Sequence, residues 1–239
     1  MSLRGWFAPA TRAEAAAGPG PAQTEKQGGV GGPSGLDSRK VGATTAIPTS
    51  IGTSELVRDA FELLSDTHEG QVQKVNGRPY VEHSLAVATD VSEAGFEPEM
   101  IAAALLHDIV EDSEVTVEQL RQRFGDRVAA LVETMTDTAE VKPYERRKAL
   151  HRERVVQAGP EAAAIFAADK LDNVRALRKA YVQVGEPVAE RYEQPLDIKL
   201  RVWEADVEMV SGYSSAVPYA EALADEVAAL QADRVSRRG

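Results

Sequence analysis

The stretch Ile101-Ala102-Ala103-Ala104-Leu105-Leu106-His107-Asp108-Ile109-Val110-Glu111-Asp112 constrains this chain more than any other. Six apolar residues run into an imidazole and a carboxylate, two more apolar residues follow, and two further carboxylates close the run. Its alanines and its length favour a helix buried nearly all round over a strand. On one continuous helix, His107 and Glu111 stack on one flank and Asp108 and Asp112 on another.

A buried helix tolerates such groups only when something satisfies them. Three acids and a histidine within a turn or so repel one another in poorly solvated surroundings unless a cation lies among them or some carboxylates stay protonated. A bound metal is the simplest relief, and histidine with carboxylate suits zinc, manganese or iron. The competing arrangement is a helix end that runs into solvent, with Glu111 and Asp112 exposed and His107 an ordinary core histidine. Both stay open on this stretch alone.

The 239 residues suffice for one or two domains. Without cysteine there is no disulfide framework, thiolate metal site or cysteine nucleophile, so any metal must use histidine and carboxylate. The sequence has no apolar run long enough to span a bilayer and its N-terminus lacks the apolar core of a secretory signal. A soluble, cytoplasmic protein with no membrane partner is expected. Net charge is −11, and residues 1–50 hold only five Lys/Arg and three Asp/Glu, which leaves 22 basic against 35 acidic residues, or −13, on the remainder. So acidic a domain is a poor candidate for nucleic-acid binding. An anionic substrate would need a bridging cation or a local basic patch.

Residues 1–50 contain nine of the 18 glycines and five of the 12 prolines, and are expected to form a disordered Gly/Pro/Ala-rich tail. Helical spacing begins behind Thr53 and Ser54. A second helix is expected from about Tyr80 to Ala94 and carries His83. Pro98 opens the central helix in the favoured first-turn position. Thr116-Val117-Glu118-Gln119 reads as a capping box, Gly125 as a stop, and Asp126 as the next cap. A charge-rich helix follows Pro143 and ends at Gly159-Pro160. Beyond it Ala162, Ile165, Phe166, Asp169, Asn173 and Leu177 share one face, so Asp169 and Asn173 interrupt an inward stripe. Asp169 there needs a partner: a salt bridge to Lys170 or Arg175, or a metal. Two further helices, from about Pro187 to Val210 and from about Tyr219 to Ala232, look like packing. With no alternating strand and no glycine-rich phosphate loop, the expected architecture is all-α.

Five segments occur in a telling order: His68-Glu69-Gly70-Gln71; Arg78-Pro79-Tyr80-Val81-Glu82-His83; Ala103 through Asp112; Phe124-Gly125-Asp126-Arg127-Val128-Ala129; and Ala168-Asp169-Lys170-Leu171-Asp172-Asn173-Val174-Arg175. Together they resemble the hydrolase domain of the RelA/SpoT family, within the HD-domain metal-dependent phosphohydrolases. The resemblance implies an HD-domain helical bundle over residues 53–235, of the stand-alone small alarmone hydrolase type. Such enzymes remove the 3′-pyrophosphate from guanosine tetra- and pentaphosphate (ppGpp and pppGpp). The family's metal ligands fall on His83, His107, Asp108 and Asp169, the metal being usually manganese (Mn2+), and its catalytic acidic pair on Glu111 and Asp112. The implied partner is a guanosine polyphosphate, and a homo-oligomer is compatible with the sequence.

Phosphate charge calls for donors among Lys74, Arg78, Lys142, Arg146, Arg147 and Lys170, of which Lys170 and Arg146 are favoured by their place beside the motif or in the basic helix. Gln73 or Lys74, with a one-residue difference in spacing, occupies the region where the family often carries an arginine used against the base, and Asn173 is placed to hydrogen-bond a sugar or base or else to satisfy a backbone group. The family's common Leu-His-Asn or Leu-Tyr-Asn ending reads Leu171-Asp172-Asn173, an extra acid that either weakens binding of an anionic nucleotide or points outward. His68 stays outside the metal set, and His151 is expected to face solvent. The alternatives are an HD-domain phosphohydrolase of another nucleotide, such as NADPH at its 2′-phosphate or a nucleoside monophosphate, and a catalytically silent nucleotide-sensing module. Retention of both Glu111 and Asp112 argues against the last.

Overall fold

Ser54 starts the first long helix: its hydroxyl accepts from the Val57 amide, and α1 (Glu55–Thr67) follows with Val57, Ala60, Leu63 and Leu64 buried. The computed structural model describes residues 47–51, 54–72, 77–137, 141–189, 191 and 194–238. The tail expected over residues 1–50 therefore lies, up to residue 46, outside the described residues, as does Lys74. A 3-10 turn at Thr49–Ile51 precedes α1; Ile51 is fully buried, and Ser92 donates its hydroxyl to the Ser50 carbonyl.

The remaining elements are α2 (Tyr80–Glu93), α3 (Pro98–Leu105), α4 (Ile109–Asp112), α5 (Val117–Phe124), α6 (Asp126–Met135), α7 (Tyr144–Ala158), α8 (Pro160–Val184), α9 (Glu186–Ala189), α10 (Leu196–Ser211) and α11 (Ala220–Arg238). Among the described residues there is no strand, only an isolated bridge between Val72 and Pro79, so the all-α expectation holds. No helix among them is long and apolar enough to cross a membrane.

Local sequence explains most of these boundaries. Thr116 and Gln119 form the expected reciprocal capping box of α5. Gly159 takes φ 94° between α7 and α8, a left-handed conformation that glycine adopts without a Cβ penalty, and Pro160 then sits in the first turn of α8. The expected Asp126 cap is corrected: Gly125 holds the cap position and Asp126 is the first helical residue of α6. The expected helix from Pro187 is likewise corrected to the short α9 and the separate α10, which starts after Pro195, a residue that disfavours helix at the position before it.

α8 is the centre of the domain. Ala162 through Asp172 are all buried, and the helix packs against α2, α3, α6, α7, α9, α10 and α11. Four alanines in the first half of that stretch, with a fifth at Ala168, let neighbouring helices approach its backbone closely. α3 is similar, with Met100 through Leu105 buried. α2 packs on both, which brings the polar positions of three helices to one point.

His151 is buried rather than solvent-facing, at 3% exposure, with its ring edge-on to Phe166 at 5.3 Å between centroids. It and Val155, one turn on, are the buried residues of the otherwise charged α7. Neither ring nitrogen has a hydrogen-bond partner. Burial and the nearby Lys170 and Lys148 charges push this imidazole down to about 3. An unfolded histidine takes up its proton near pH 6.5. Between those values the folded chain binds fewer protons, so stability falls as pH drops through that window. His151→Leu should remove this loss. Urea midpoints at pH 7 and pH 5 should show wild type losing about 2 kcal/mol more than the variant; equal losses would assign acid sensitivity elsewhere.

Candidate metal centre

The expected continuous central helix is broken, and the break builds the centre. Leu106, His107 and Asp108 form a turn between α3 and α4, with Leu106 at φ −103°, ψ 6° and Asp108 at φ −100°, ψ −3°. The turn tightens to three-residue hydrogen bonds, Ile109 N to Leu106 O and Glu111 N to Asp108 O, both 3.0 Å. Consecutive side chains on a regular helix do not face each other. Here they do: His107 Nε2 lies 3.2 Å from Asp108 Oδ2.

Two other helices complete the group. From α2, His83 Nε2 is 3.8 Å from Asp108 Oδ2 and 3.4 Å from Asp169 Oδ1. From α8, Asp169 Oδ1 is 3.8 Å from His107 Nε2. Donor atoms bound about 2.1 Å from one cation lie roughly 3.0–3.5 Å apart, close to this spacing. Both rings are set as ligands. His107 Nδ1 donates to the Ala104 carbonyl at 2.9 Å, which leaves Nε2 as the lone-pair nitrogen, fully buried and without a hydrogen-bond partner. His83 Nδ1 donates to Asp172 Oδ2 at 2.7 Å, which turns its Nε2 inward. His83, His107 and Asp169 each offer a ligand atom within 4.8 Å of the others, a group that fits a divalent cation, and Asp108 Oδ2 lies beside both imidazoles.

The electrostatics show the same demand for positive charge. Burial disfavours the His83 imidazolium, but the hydrogen bonds to Asp169 and Asp172 outweigh it and push the ring up to about 10. Burial also opposes ionisation of Asp108, yet the His107 ring holds its carboxyl at about 2. Asp169 is held well below the ordinary carboxylate range, against its burial, chiefly by the Lys170 ammonium. A cation at this point satisfies those carboxylates in place of protons. Of the two partners considered for Asp169, both are supported: Oδ2 pairs with Lys170 Nζ at 2.6 Å while Oδ1 faces the imidazoles. Arg175 pairs with Asp90 instead.

The acidic pair occupies the rim. Glu111 Oε1 accepts from the Asp137 amide, and Asp137 is itself fixed by Lys148 Nζ at 2.7 Å and Arg147 Nε at 3.3 Å. Loss of hydration near the cluster, with the Asp108 charge alongside, pushes Glu111 up to about 7. Asp112 contacts the Tyr80 hydroxyl, which is also 3.2 Å from Asp108 Oδ2. Tyr80 in turn stacks on His68 at 4.2 Å, and His68 Nδ1 bonds Gln71.

Beside the cluster is a cavity of about 110 Å³ lined by Tyr144, Lys148, Lys170, Asn173, Lys199, Val202, Trp203 and Asp206. Lys170 and Asn173 both line this cavity, and Asn173 also donates to Asp169 Oδ1. Arg146 is exposed and does not line this cavity; Lys148, two residues on, does. Asp172 does not point outward: it is buried against His83 and Arg78. Sequence reasoning missed Asp172, Tyr80, Asp137, Lys148, Lys199 and Trp203 as parts of the site. Only Tyr80 and Asp172 carried a signal, since each sits inside a quoted motif.

A family model described as HD domain matches residues 60–194, more than half of the chain. The guanosine-3′,5′-bis(diphosphate) 3′-pyrophosphohydrolase of Aquifex aeolicus is 34% identical over 163 residues, 65% of this chain and 23% of that one. The GTP pyrophosphokinase of Streptomyces coelicolor is 33% identical over 204 residues, 79% of this chain and 23% of that one. The matched region is thus under a quarter of either relative. A solved structure of a metazoan SpoT ortholog that hydrolyses ppGpp superposes with a TM-score of 0.61 at 28% identity, covering 74% of this chain and 95% of that one.

Asp169→Ala removes one donor and also strands Lys170. Metal analysis after dialysis against manganese should find stoichiometric metal in wild type and little in this variant, and retention of metal by Asp169→Ala would remove Asp169 from the ligand set.

Proposed function

The chain belongs to the HD-domain family, and from that premise we propose that it is a manganese-dependent hydrolase that removes the 3′-pyrophosphate from guanosine tetra- and pentaphosphate. The observation that carries the reading is the convergence of His83, His107, Asp108 and Asp169 from three parts of the fold, with Glu111 and a lysine-lined cavity beside them. The match to relatives named for this reaction supports the choice of nucleotide.

His83, His107, Asp108 and Asp169 would hold the metal, which when bound polarises a phosphoryl oxygen and lowers the pKa of water. Everything else falls to side chains. Glu111 acts as general base: its surroundings raise its carboxyl above the ordinary carboxylate range, toward that of a group that both takes and gives up a proton readily. The Asp137 amide holds one of its oxygens and leaves the other to orient the attacking water. Asp112, tied to Asp108 through the Tyr80 hydroxyl, is an orienting neighbour in this scheme.

The leaving pyrophosphate and the remaining phosphates carry several negative charges into a chain of net −11. Lys148, Lys170 and Lys199 oppose the average field locally. Burial, together with Lys148 and Lys170, pushes Lys199 down to about 8, so an arriving phosphate would restore its full charge. A cavity of about 110 Å³ takes a phosphate arm and not a whole nucleotide. Asn173 at its edge is placed for a sugar or base hydroxyl or amide.

With manganese, the purified protein should release pyrophosphate from guanosine tetraphosphate, and a panel including NADPH and nucleoside monophosphates should be turned over poorly. Binding without release would instead favour a sensor. Glu111→Gln should keep its metal and lower kcat by about 10²–10⁴. Lys148→Ala and Lys199→Ala should each raise KM by about tenfold or more, as expected for loss of one charged hydrogen bond; unchanged KM values would place the phosphates elsewhere.

A further inference from the structure

Asp172 occupies the position where the sequence departs from its motif, and the fold gives it a task. Its Oδ2 accepts from His83 Nδ1 at 2.7 Å, a contact from α8 to α2 made between two buried residues. The same carboxylate also accepts from Arg78, whose Nη2 lies 3.0 Å from Oδ2 and whose Nη1 lies 3.4 Å from Oδ1. Arg78 also reaches Glu82 at 3.5 Å, one turn along α2. The Asp172 carboxylate is thus pinned by a planar fork, a geometry with little rotational freedom.

We propose that Asp172, backed by Arg78, is a positioning residue that locks the His83 ring with its proton on Nδ1 and its Nε2 lone pair turned into the metal centre. The alternative acceptors are too few to do this without it: His83 is 3% exposed, and no other acceptor is placed at Nδ1 among the described residues. His107 uses a backbone carbonyl for the same purpose, a neutral acceptor. A carboxylate strengthens the donor character of the ring beyond what a carbonyl gives, and loss of such an outer acceptor costs about 10–100-fold in metal affinity. Arg78, which also reaches Glu82, offsets part of the Asp172 charge, so the extra acid strengthens a ligand with less repulsion toward an anionic substrate than an unpaired carboxylate would bring. The inference rests on His83 as a ligand, as in the reading above, and does not depend on which nucleotide is hydrolysed.

The test compares Asp172→Asn and Asp172→Ala with wild type, using manganese alone and a competing chelator. Asp172→Asn keeps the shape of the side chain but presents either a neutral oxygen or an N–H to the ring. Both variants should bind manganese about 10–100-fold more weakly, while the metal-free melting midpoint of Asp172→Asn stays near that of wild type. In zinc-loaded protein, the strongly deshielded His83 Nδ1 proton should move upfield in Asp172→Asn and vanish through exchange in Asp172→Ala. Manganese affinities within twofold of wild type in both variants would overturn the proposal, and would do so whatever the outcome of the turnover assay. If His83→Ala abolishes metal binding while the Asp172 variants do not, the metal centre stands and this inference alone fails. A wild-type protein that binds no manganese overturns both.

Discussion

The site depends on how one carboxylate is divided. Asp169 sits in the most buried part of α8 and uses one oxygen for Lys170 and the other for the cluster. An unpaired charge in that position costs several kcal/mol, and a carboxylate fully neutralised by Lys170 would have nothing left for a cation. Sharing resolves both. Lys170 is likewise buried, and burial by itself would disfavour its charge; the neighbouring Asp169 and Asp206 keep it protonated. The ammonium also lies 4.7 Å from the Phe166 ring centroid, a second favourable environment for a cation withdrawn from water. Because this pair is built from adjacent residues of one helix, the rest of the domain needs only to bring α2 and the α3–α4 turn up to it. The alanines of α3 and α8 permit that approach.

The interruption between α3 and α4 is the clearest case of local structure yielding to chemistry. Composition asks for an unbroken helix from Pro98 to Asp112, and nothing in the stretch is a helix breaker. A regular helix would point His107 and Asp108 in directions about 100° apart, so the two could not both be ligands of one cation. The turn brings both to the same point, and the hydrogen bond from His107 Nδ1 to the Ala104 carbonyl fixes the ring in its new direction. Places where sequence propensity and fold disagree are where function is to be expected, and here the disagreement falls on two of the four proposed donors.

That pattern explains what was legible in the sequence. Elements set by neighbours along the chain could be read directly: the Ser54 cap, the Thr116 capping box, the glycine between α7 and α8. The proposed ligands were legible through motif order, as histidine and aspartate set in otherwise apolar stripes. Contacts between helices distant in sequence were not. Asp172 is 89 residues from His83, so spacing could not reveal that it faces inward. His151 sits among charges on α7, and only the packing of Phe166 against it shows that its face is the buried one. The grip on Glu111 comes from a backbone amide, Asp137, which no side-chain pattern encodes.

The distribution of charge around the cavity carries a further consequence for the proposed reaction. Lys148 and Lys170 enter the cavity already paired, with Asp137 and with Asp169. A phosphate that binds them must share each lysine with its carboxylate. Sharing Lys170 leaves Asp169 Oδ1, which also accepts from Asn173, facing the imidazoles while Oδ2 competes with the phosphate for one ammonium. Sharing Lys148 loosens the hold on Asp137, the residue whose amide positions Glu111. Arg147, 3.3 Å from the same Asp137 carboxylate, is the group that keeps Asp137 in place when Lys148 turns to the substrate. The doubled cationic support of Asp137 thus lets one lysine bind phosphate without releasing the general base.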